Sequence, residues 1–172
     1  GGTPVTDWIE EEDGSWSAPF PPGYSGHFRS FYVNGKPAQR ARFPDQGYLR
    51  VAEAGKDQRT HFFFHEEDIP ALDPSLDPSL DPSRKPELVF LHDWSVTRIP
   101  IESIDRERRQ LTAVDSVGSR LPFFTMTHWE EHPRYYLENA REFCDQPGEW
   151  YADFQASRVY YHPLPEDRID KT

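Results

Sequence analysis

The chain has 172 residues, enough for one domain, and its formal net charge at pH 7 is −11. This acidic surplus argues against DNA or RNA as a partner, because phosphate binding requires a basic face. No apolar run approaches the ~18 residues of a membrane span, so no membrane partner is expected. The 17 prolines and 10 glycines favour a loop-rich, all-β chain over a helical one.

The first third of the chain predicts short antiparallel strands. Thr3–Ala18 predicts two strands around a polar turn at Glu10–Gly14. Phe28–Val33 predicts a further strand, and Asn34-Gly35 after it is a strong hairpin signal. Ala38–Phe43 is the expected return strand.

Two more strands are predicted at Gly47–Val51 and His61–His65. His61 and His65 share one face of such a strand, but with no third ligand in sight we favour packed or exposed histidines over a metal site. A Leu-Asp-Pro-Ser repeat follows and predicts a flexible loop over residues 70–86, because each proline keeps the aspartate before it out of the α region. Its aspartates lack the glycine turns of a calcium loop.

The central segment predicts one strand followed by an antiparallel pair of strands. Glu87–Leu91 is apolar, and Thr97–Ile104 alternates as a half-buried edge strand with Pro100 on its open side. Gln110–Val114 is the expected partner strand.

The residues around the connection between the first two of these strands form the candidate ligand site: His92, Asp93, Trp94 and Arg98. A flat indole can stack on a sugar ring while the histidine, aspartate and arginine bond its hydroxyls. The alternative is a core tryptophan with a rim of surface charge. No catalytic residue, metal ligand or cofactor site is predicted.

Residues 135–144 predict one short helix, since their apolar side chains recur at three-to-four spacing. Asn139 within it is expected to be a buried hydrogen-bonding residue, and Cys144, the single cysteine, to pack as a small apolar one. His128-Trp129-Glu130-Glu131-His132 matches a zinc-peptidase pattern, but the following Pro133 opposes the helix that this chemistry requires.

The stretch Pro147–Pro165 predicts a hairpin that organises the chain. Pro147-Gly148 opens it as a turn. Two aromatic-rich strands, Trp150–Phe154 and Arg158–Tyr161, follow around a loop of about three residues. Trp150 and Tyr160 are the candidates for its buried face.

Three separated motifs resemble right-handed parallel β-helix proteins of the glycoside-hydrolase and polysaccharide-lyase kind. They are Phe31–Pro44, His92–Ile104, and the hairpin at residues 147–163, which follows a short turn at Leu137–Phe143. The family has glycine where this chain has Ser157. If that turn needs a positive φ, serine costs about 1 kcal/mol there.

The resemblance implies an all-β, antiparallel sandwich or barrel-like domain inserted near the N-terminal end of a β-helix parent, whose catalytic carboxylates lie later in the parent. Residues 1–172 are then one accessory domain, with its core at 3–165 and seams to the parent at 1–2 and 166–172. The chain itself is not expected to be an enzyme, although its parent is expected to be a glycoside hydrolase or polysaccharide lyase. An extracellular or periplasmic, secreted bacterial protein is implied.

In this interpretation the domain shapes or supports the glycan cleft of its parent, with a poly- or oligosaccharide as a further partner. The alternative is an autonomous carbohydrate-binding module that stacks sugars on exposed Trp and Tyr side chains. A third possibility, an enzyme with a site of its own, has no convincing pair of carboxylates in the sequence to support it.

Overall fold

The structure, a computed structural model, describes residues 2–24, 26–69, 86–121 and 123–168. The predicted repeat loop therefore lies outside the described residues except for Pro86, as do Gly1 and residues 169–172 of the predicted seams. No helix among the described residues is long and apolar enough to cross a membrane. Two compact units divide the chain: a first unit of residues 1–45 with 139–172, and a second unit of residues 46–138. That residues 1–172 act as a single accessory domain stays a prediction.

The first unit is built from short strands and one 3-10 turn at Arg141–Phe143. In chain order the strands are β1 (Ile9–Glu10), β2 (Trp16–Pro19), β3 (Tyr32–Val33), β4 (Lys36–Pro37), β5 (Gln39–Arg40) and β6 (Arg42–Phe43), followed later by β14 (Glu149–Asp153) and β15 (Arg158–Tyr161). Five of them form a sheet in the order β1-β2-β15-β14-β5, in which only β5 runs parallel to its neighbour. The predicted Asn34-Gly35 hairpin is confirmed as the β3–β4 pair, because both turn residues adopt the positive φ that this turn needs.

The second unit contains the longest strand. Its strands are β7 (Leu49–Arg50), β8 (Glu53–Ala54), β9 (His61–Phe63), β10 (Glu87–Leu91), β11 (Val96–Asp105), β12 (Gln110–Ala113) and β13 (Arg134–Glu138). They pair in the order β13-β10-β11-β12-β9-β8, and β7 also pairs with β13. The all-β, mostly antiparallel prediction is therefore confirmed, and these sheets are consistent with a β-sandwich-like fold.

The core of the first unit lies on one face of the β14–β15 hairpin. Trp150 is buried among Ala18, Ala152, Val159 and Tyr161. Phe28 stacks on the Trp150 ring at 5.4 Å between centroids, and the indole nitrogen of Trp150 donates a hydrogen bond to the Ala38 carbonyl oxygen at 3.2 Å. The large indole is thus both buried and satisfied, which fixes the hairpin against the segments around it.

The pairing of this hairpin corrects one prediction. Trp150 is buried as expected, but its cross-strand partner is Tyr161, while Tyr160 is half-buried opposite Tyr151. The connecting loop has four residues, 154–157, where three were predicted. Because side chains alternate between the two faces of a strand, a shift of one residue moves Tyr160 to the other face.

The predicted helix at 135–144 is wrong apart from a single 3-10 turn. Residues 134–138 form strand β13, in which Tyr135 and Leu137 are buried and lie opposite Phe90 and Leu88 of β10. Asn139 then adopts a φ of 67°, which ends the strand and prevents a helix from starting. Strand alternation followed by a turn had imitated helical spacing.

Strand β11 is also not the edge strand that was predicted, since β10 and β12 flank it. Pro100 is tolerated because β12 ends at Ala113, one residue short of the position facing it. Val114 still donates a backbone hydrogen bond to the Pro100 carbonyl oxygen at 3.1 Å. The proline nitrogen faces the same residue, just beyond the last residue of β12, so the missing donor falls at the end of this ladder and not within it.

The β14–β15 loop supplies a test of backbone strain. Ser157 has a φ of 53°, the left-handed region in which glycine is favoured. We predict that Ser157→Gly raises the free energy of unfolding by about 0.5 to 1 kcal/mol, measured by urea denaturation, because relief of strain exceeds the added freedom of the unfolded chain. Ser95→Gly in the β10–β11 loop, where φ is not positive, is the control and should not stabilise. A urea midpoint of Ser157→Gly equal to or below that of the native chain would contradict the assignment of backbone strain to Ser157.

Candidate functional site

The structure places His92 on the core side of the β10–β11 hairpin. Its Nε2 lies 3.0 Å from the Thr97 hydroxyl oxygen, and its ring packs against Phe90 and Phe124 at 5.2 and 5.3 Å between centroids. Burial lowers the pKa of His92, because the charged ring would lose its hydration. This histidine is thus held by packing and by one side-chain contact.

Arg98 lies on the opposite face of the same hairpin. It is paired with Val89 across the strands, and its Nε donates a hydrogen bond to Glu138 Oε2 at 3.4 Å. Alternation along β11 puts Arg98 and Thr97 on different faces, so Arg98 and His92 cannot meet at one ligand. Asp93 and Trp94 are exposed at the tip of the hairpin. The four residues do not converge, and a ligand-binding role for them stays a prediction.

The structure instead adds a residue that sequence reasoning did not connect with this site. Trp129 lies beside Trp94, with ring centroids 4.9 Å apart and planes at 61°. Trp94 is 77% exposed and Trp129 is 52% exposed. We call this pair the Trp94/Trp129 platform. Trp94 and Trp129 are distant in sequence. The one signal that could have linked them is that both are tryptophans in polar surroundings.

The residues on either side of Trp129 in sequence are held by a ring contact and by hydrogen bonds to arginines. The His128 ring lies 4.4 Å from the Trp129 ring, edge to face. Glu130 accepts hydrogen bonds from Arg50 Nη1 at 2.8 Å and from Arg134 Nε at 3.1 Å. Desolvation alone would raise the pKa of Glu130, but these two hydrogen bonds outweigh it and hold the pKa below its usual range.

The zinc-peptidase pattern at 128–132 is not a metal site in this geometry. Its residues lie in turns outside any helix, and Glu130 is engaged with arginines. His132 places its Nδ1 3.0 Å from the Val51 carbonyl oxygen. The two histidines are thus not arranged one helical turn apart around a common centre.

Three carboxylates of the first unit form a second cluster. Oxygen atoms of Asp45, Asp145 and Glu149 lie within 4.8 Å of one another, a spacing at which they could share a cation. Glu149 already accepts hydrogen bonds from Gln39 Nε2 at 3.2 Å and from the Gln146 backbone N–H at 3.3 Å. Three oxygens are also fewer than the six to eight that calcium takes.

The physical consequence of this cluster is a retained proton. Burial, with Asp45 and Asp145 adding to it, raises the pKa of Glu149 from 4.5 to about 7. Burial, with Asp145 adding to it, also raises the pKa of Asp45. A carboxyl with a raised pKa is what a glycosidase uses as general acid, but Glu149 is only 2% exposed. A glycosidic bond cannot reach it, so this geometry does not make a catalytic centre.

Two buried polar residues match the sequence-based expectations. Asn139 Oδ1 accepts a hydrogen bond from Arg40 Nη2 at 2.8 Å, so the predicted structural role is confirmed. Cys144 is buried, and its Sγ lies 3.7 Å from the Glu149 carbonyl oxygen. Burial raises the pKa of the Cys144 thiol to about 12, which leaves no reactive thiolate near neutral pH.

Glu149 predicts a pH dependence of stability. Below pH 4.5 the group is protonated in both the folded and the unfolded chain, and its contribution is fully present. Between pH 4.5 and about 7 the unfolded chain has released its proton while the folded chain still holds it, so on the order of 3 kcal/mol is lost as the pH rises across this window. We therefore expect Glu149→Gln to abolish most of this loss in urea unfolding between pH 5 and 8. The exposed Glu12→Gln is the control, and an unchanged pH dependence in Glu149→Gln would refute the retained proton.

Two comparisons with known proteins found a match, one for the fold and one for the family. A solved structure described as "Glycoside hydrolase" is similar over 98% of this chain and 29% of its own, with a TM-score of 0.69 and 23% identity. At that identity the likeness shows the fold, and this chain spans less than a third of that structure. No curated protein matches the chain. The model of the GH141 insertion domain matches residues 15–164. The chain therefore belongs to the GH141 insertion domain family.

Proposed function

We propose that this chain is a non-catalytic accessory domain that contacts glycan at the cleft of a glycoside hydrolase-like parent. The parent's catalytic body is, in this proposal, a right-handed parallel β-helix. Membership of an insertion domain family supports a parent enzyme. The β-helix rests on the resemblance of residues 31–44, 92–104 and 147–163 to proteins of that kind. An extracellular or periplasmic location follows from the same resemblance.

The observation that carries the proposal is the exposure of the Trp94/Trp129 platform. Burying a large aromatic side chain contributes about 1.5 to 3 kcal/mol, so leaving two neighbouring indoles in water forgoes stabilisation that folding would otherwise gain. Adjacent exposed rings of this kind mark binding surfaces. Because the ring planes stand at 61°, they present two faces in different directions. That suits a glycan whose successive sugars are rotated relative to one another.

Polar groups beside the rings fit hydroxyl recognition. Asp93 is exposed next to Trp94 in the chain, and the His128 ring touches Trp129. The carboxylate can accept hydrogen bonds from sugar hydroxyls and the imidazole can accept or donate them, while the indole faces contact the apolar C–H faces of the ring. In this proposal Trp94 and Asp93 contact the glycan together with Trp129, whereas His92 and Arg98 support the hairpin.

Calorimetric titration of the chain with plant, algal and bacterial oligosaccharides tests this role. We expect heat with a defined stoichiometry for at least one glycan, and at least a tenfold loss of affinity in both Trp94→Ala and Trp129→Ala. When a nucleobase stacks on an aromatic side chain in other proteins, removal of that side chain costs about 1–3 kcal/mol, and we take this as the scale for a stacked sugar. Val96→Ala removes exposed apolar surface from the same hairpin without removing a ring, and should bind as the native chain does.

The outcome also separates the accessory domain from an autonomous binding module. Affinity in the micromolar range for the isolated chain would favour a module that needs no parent. Millimolar affinity is expected of an accessory domain that supplies only part of a cleft. Silence across the panel from a folded sample would contradict glycan contact and leave a structural insertion whose partner is its own parent chain.

A further inference from the structure

The first unit contains a cleft of about 730 Å³ that shares no residue with the Trp94/Trp129 platform. Its lining includes seven aromatic residues: Trp8, Phe20, Tyr24, Phe28, Phe31, Tyr32 and Tyr161. Small-molecule and cofactor sites have volumes of roughly 300 to 1,000 Å³ and are lined in this way, with a few polar groups to fix orientation. The cleft therefore has the size and lining of a ligand site.

The walls are held in place before any ligand binds. Phe28 is stacked on the buried Trp150, and the Trp8 ring packs on Phe31 with centroids 6.1 Å apart. The indole nitrogen of Trp8 donates a hydrogen bond to the Val5 carbonyl oxygen at 3.1 Å. Tyr32, in contrast, is 63% exposed at the mouth of the cleft. Rings fixed by their own packing lose little freedom on binding, which favours affinity.

The charge of the lining differs from that of the whole chain. The chain carries −11, yet no aspartate or glutamate lines the cleft, and Arg168 is its one charged lining residue among those described. The carboxylate of the preceding residue, Asp167, is engaged in hydrogen bonds with other groups. Asp167 accepts hydrogen bonds from Asn34 Nδ2 at 3.0 Å, from the Leu164 backbone N–H at 2.9 Å and from the Tyr161 hydroxyl. No ion pair of Arg168 with another described residue is found.

We propose that this cleft binds an oligosaccharide that carries a carboxylate, such as a uronate-containing chain. Aromatic walls fit the apolar faces of sugar rings, and a guanidinium matches a carboxylate through two parallel N–H···O bonds. The acidic chain as a whole repels polyanions, so one carboxylate at Arg168 fits better than a run of phosphates. The cleft shares no residue with the Trp94/Trp129 platform, and its proposed role is independent of the role proposed for the platform.

Matched ligands test the role of the charge. The native chain is titrated with two tetrasaccharides that each carry a single uronate, galacturonate in one and mannuronate in the other, and with the methyl esters of the same sugars, while calorimetry and tryptophan fluorescence are followed. We expect at least one acid to bind at least tenfold more tightly than its ester, and the difference to shrink as salt is added. Trp94→Ala should leave this binding unchanged, so its outcome is independent of the platform.

Variants then assign the site. Arg168→Gln should abolish the advantage of the acid over the ester, and Tyr32→Ala should weaken both ligands several-fold without unfolding an exposed position. Arg108→Gln, which removes an exposed arginine from the second unit, is the matched control and should bind as the native chain does. Equal binding of acid and ester, an unaffected Arg168→Gln, or silence with all four ligands overturns the proposal. Uptake of an apolar dye without any oligosaccharide binding would also overturn it, in favour of a surface for docking protein.

Discussion

The first unit depends on the burial of one indole. Trp150 sits on the β14–β15 hairpin, stacks on Phe28, and satisfies its only polar atom by donating to Ala38. Strands β2 and β5 flank the same hairpin, so the segments that precede it by more than a hundred residues are ordered against it. In a loop-rich chain with short strands, few backbone ladders are long enough to be stable alone, and a large shared side chain compensates for them.

The chain has a large acidic surplus, and two of its glutamates show different ways of accommodating a carboxyl group in the fold. Glu130 is paired with Arg50 and Arg134, whose hydrogen bonds hold the pKa of Glu130 below its usual range. Glu149 is placed where burial and neighbouring carboxylates favour its neutral form. Near neutral pH the pairing of Glu130 adds no pH dependence to the free energy of unfolding. The raised pKa of Glu149, in contrast, couples folding to protonation in that range.

The two units present different kinds of aromatic surface, exposed rings in the second unit and a cleft in the first. In the second unit, Trp94 at a hairpin tip and its neighbour Trp129 are exposed to solvent. In the first unit, aromatic side chains line a cleft, and Arg168 is the one charged residue among its described lining residues. Neither feature contains convergent, accessible carboxylates. An accessory role in binding is consistent with such surfaces, because recognition of a sugar needs rings and hydrogen-bonding groups, whereas its hydrolysis needs two accessible carboxyls at a set separation.

Local chemistry was readable from the sequence, and long-range pairing was not. The Asn34-Gly35 turn and the expectation of strain at Ser157 depend on the φ preferences of single residues, so composition and turn rules were enough to anticipate them. The all-β class followed for the same reason. Only the tertiary structure decided that residues 134–138 extend as a strand, because pairing with β10 overrides a helical spacing. It alone brought Trp94 to Trp129 and gathered the Glu149 carboxylate cluster, since these contacts join residues whose separation in sequence carries no periodic signal.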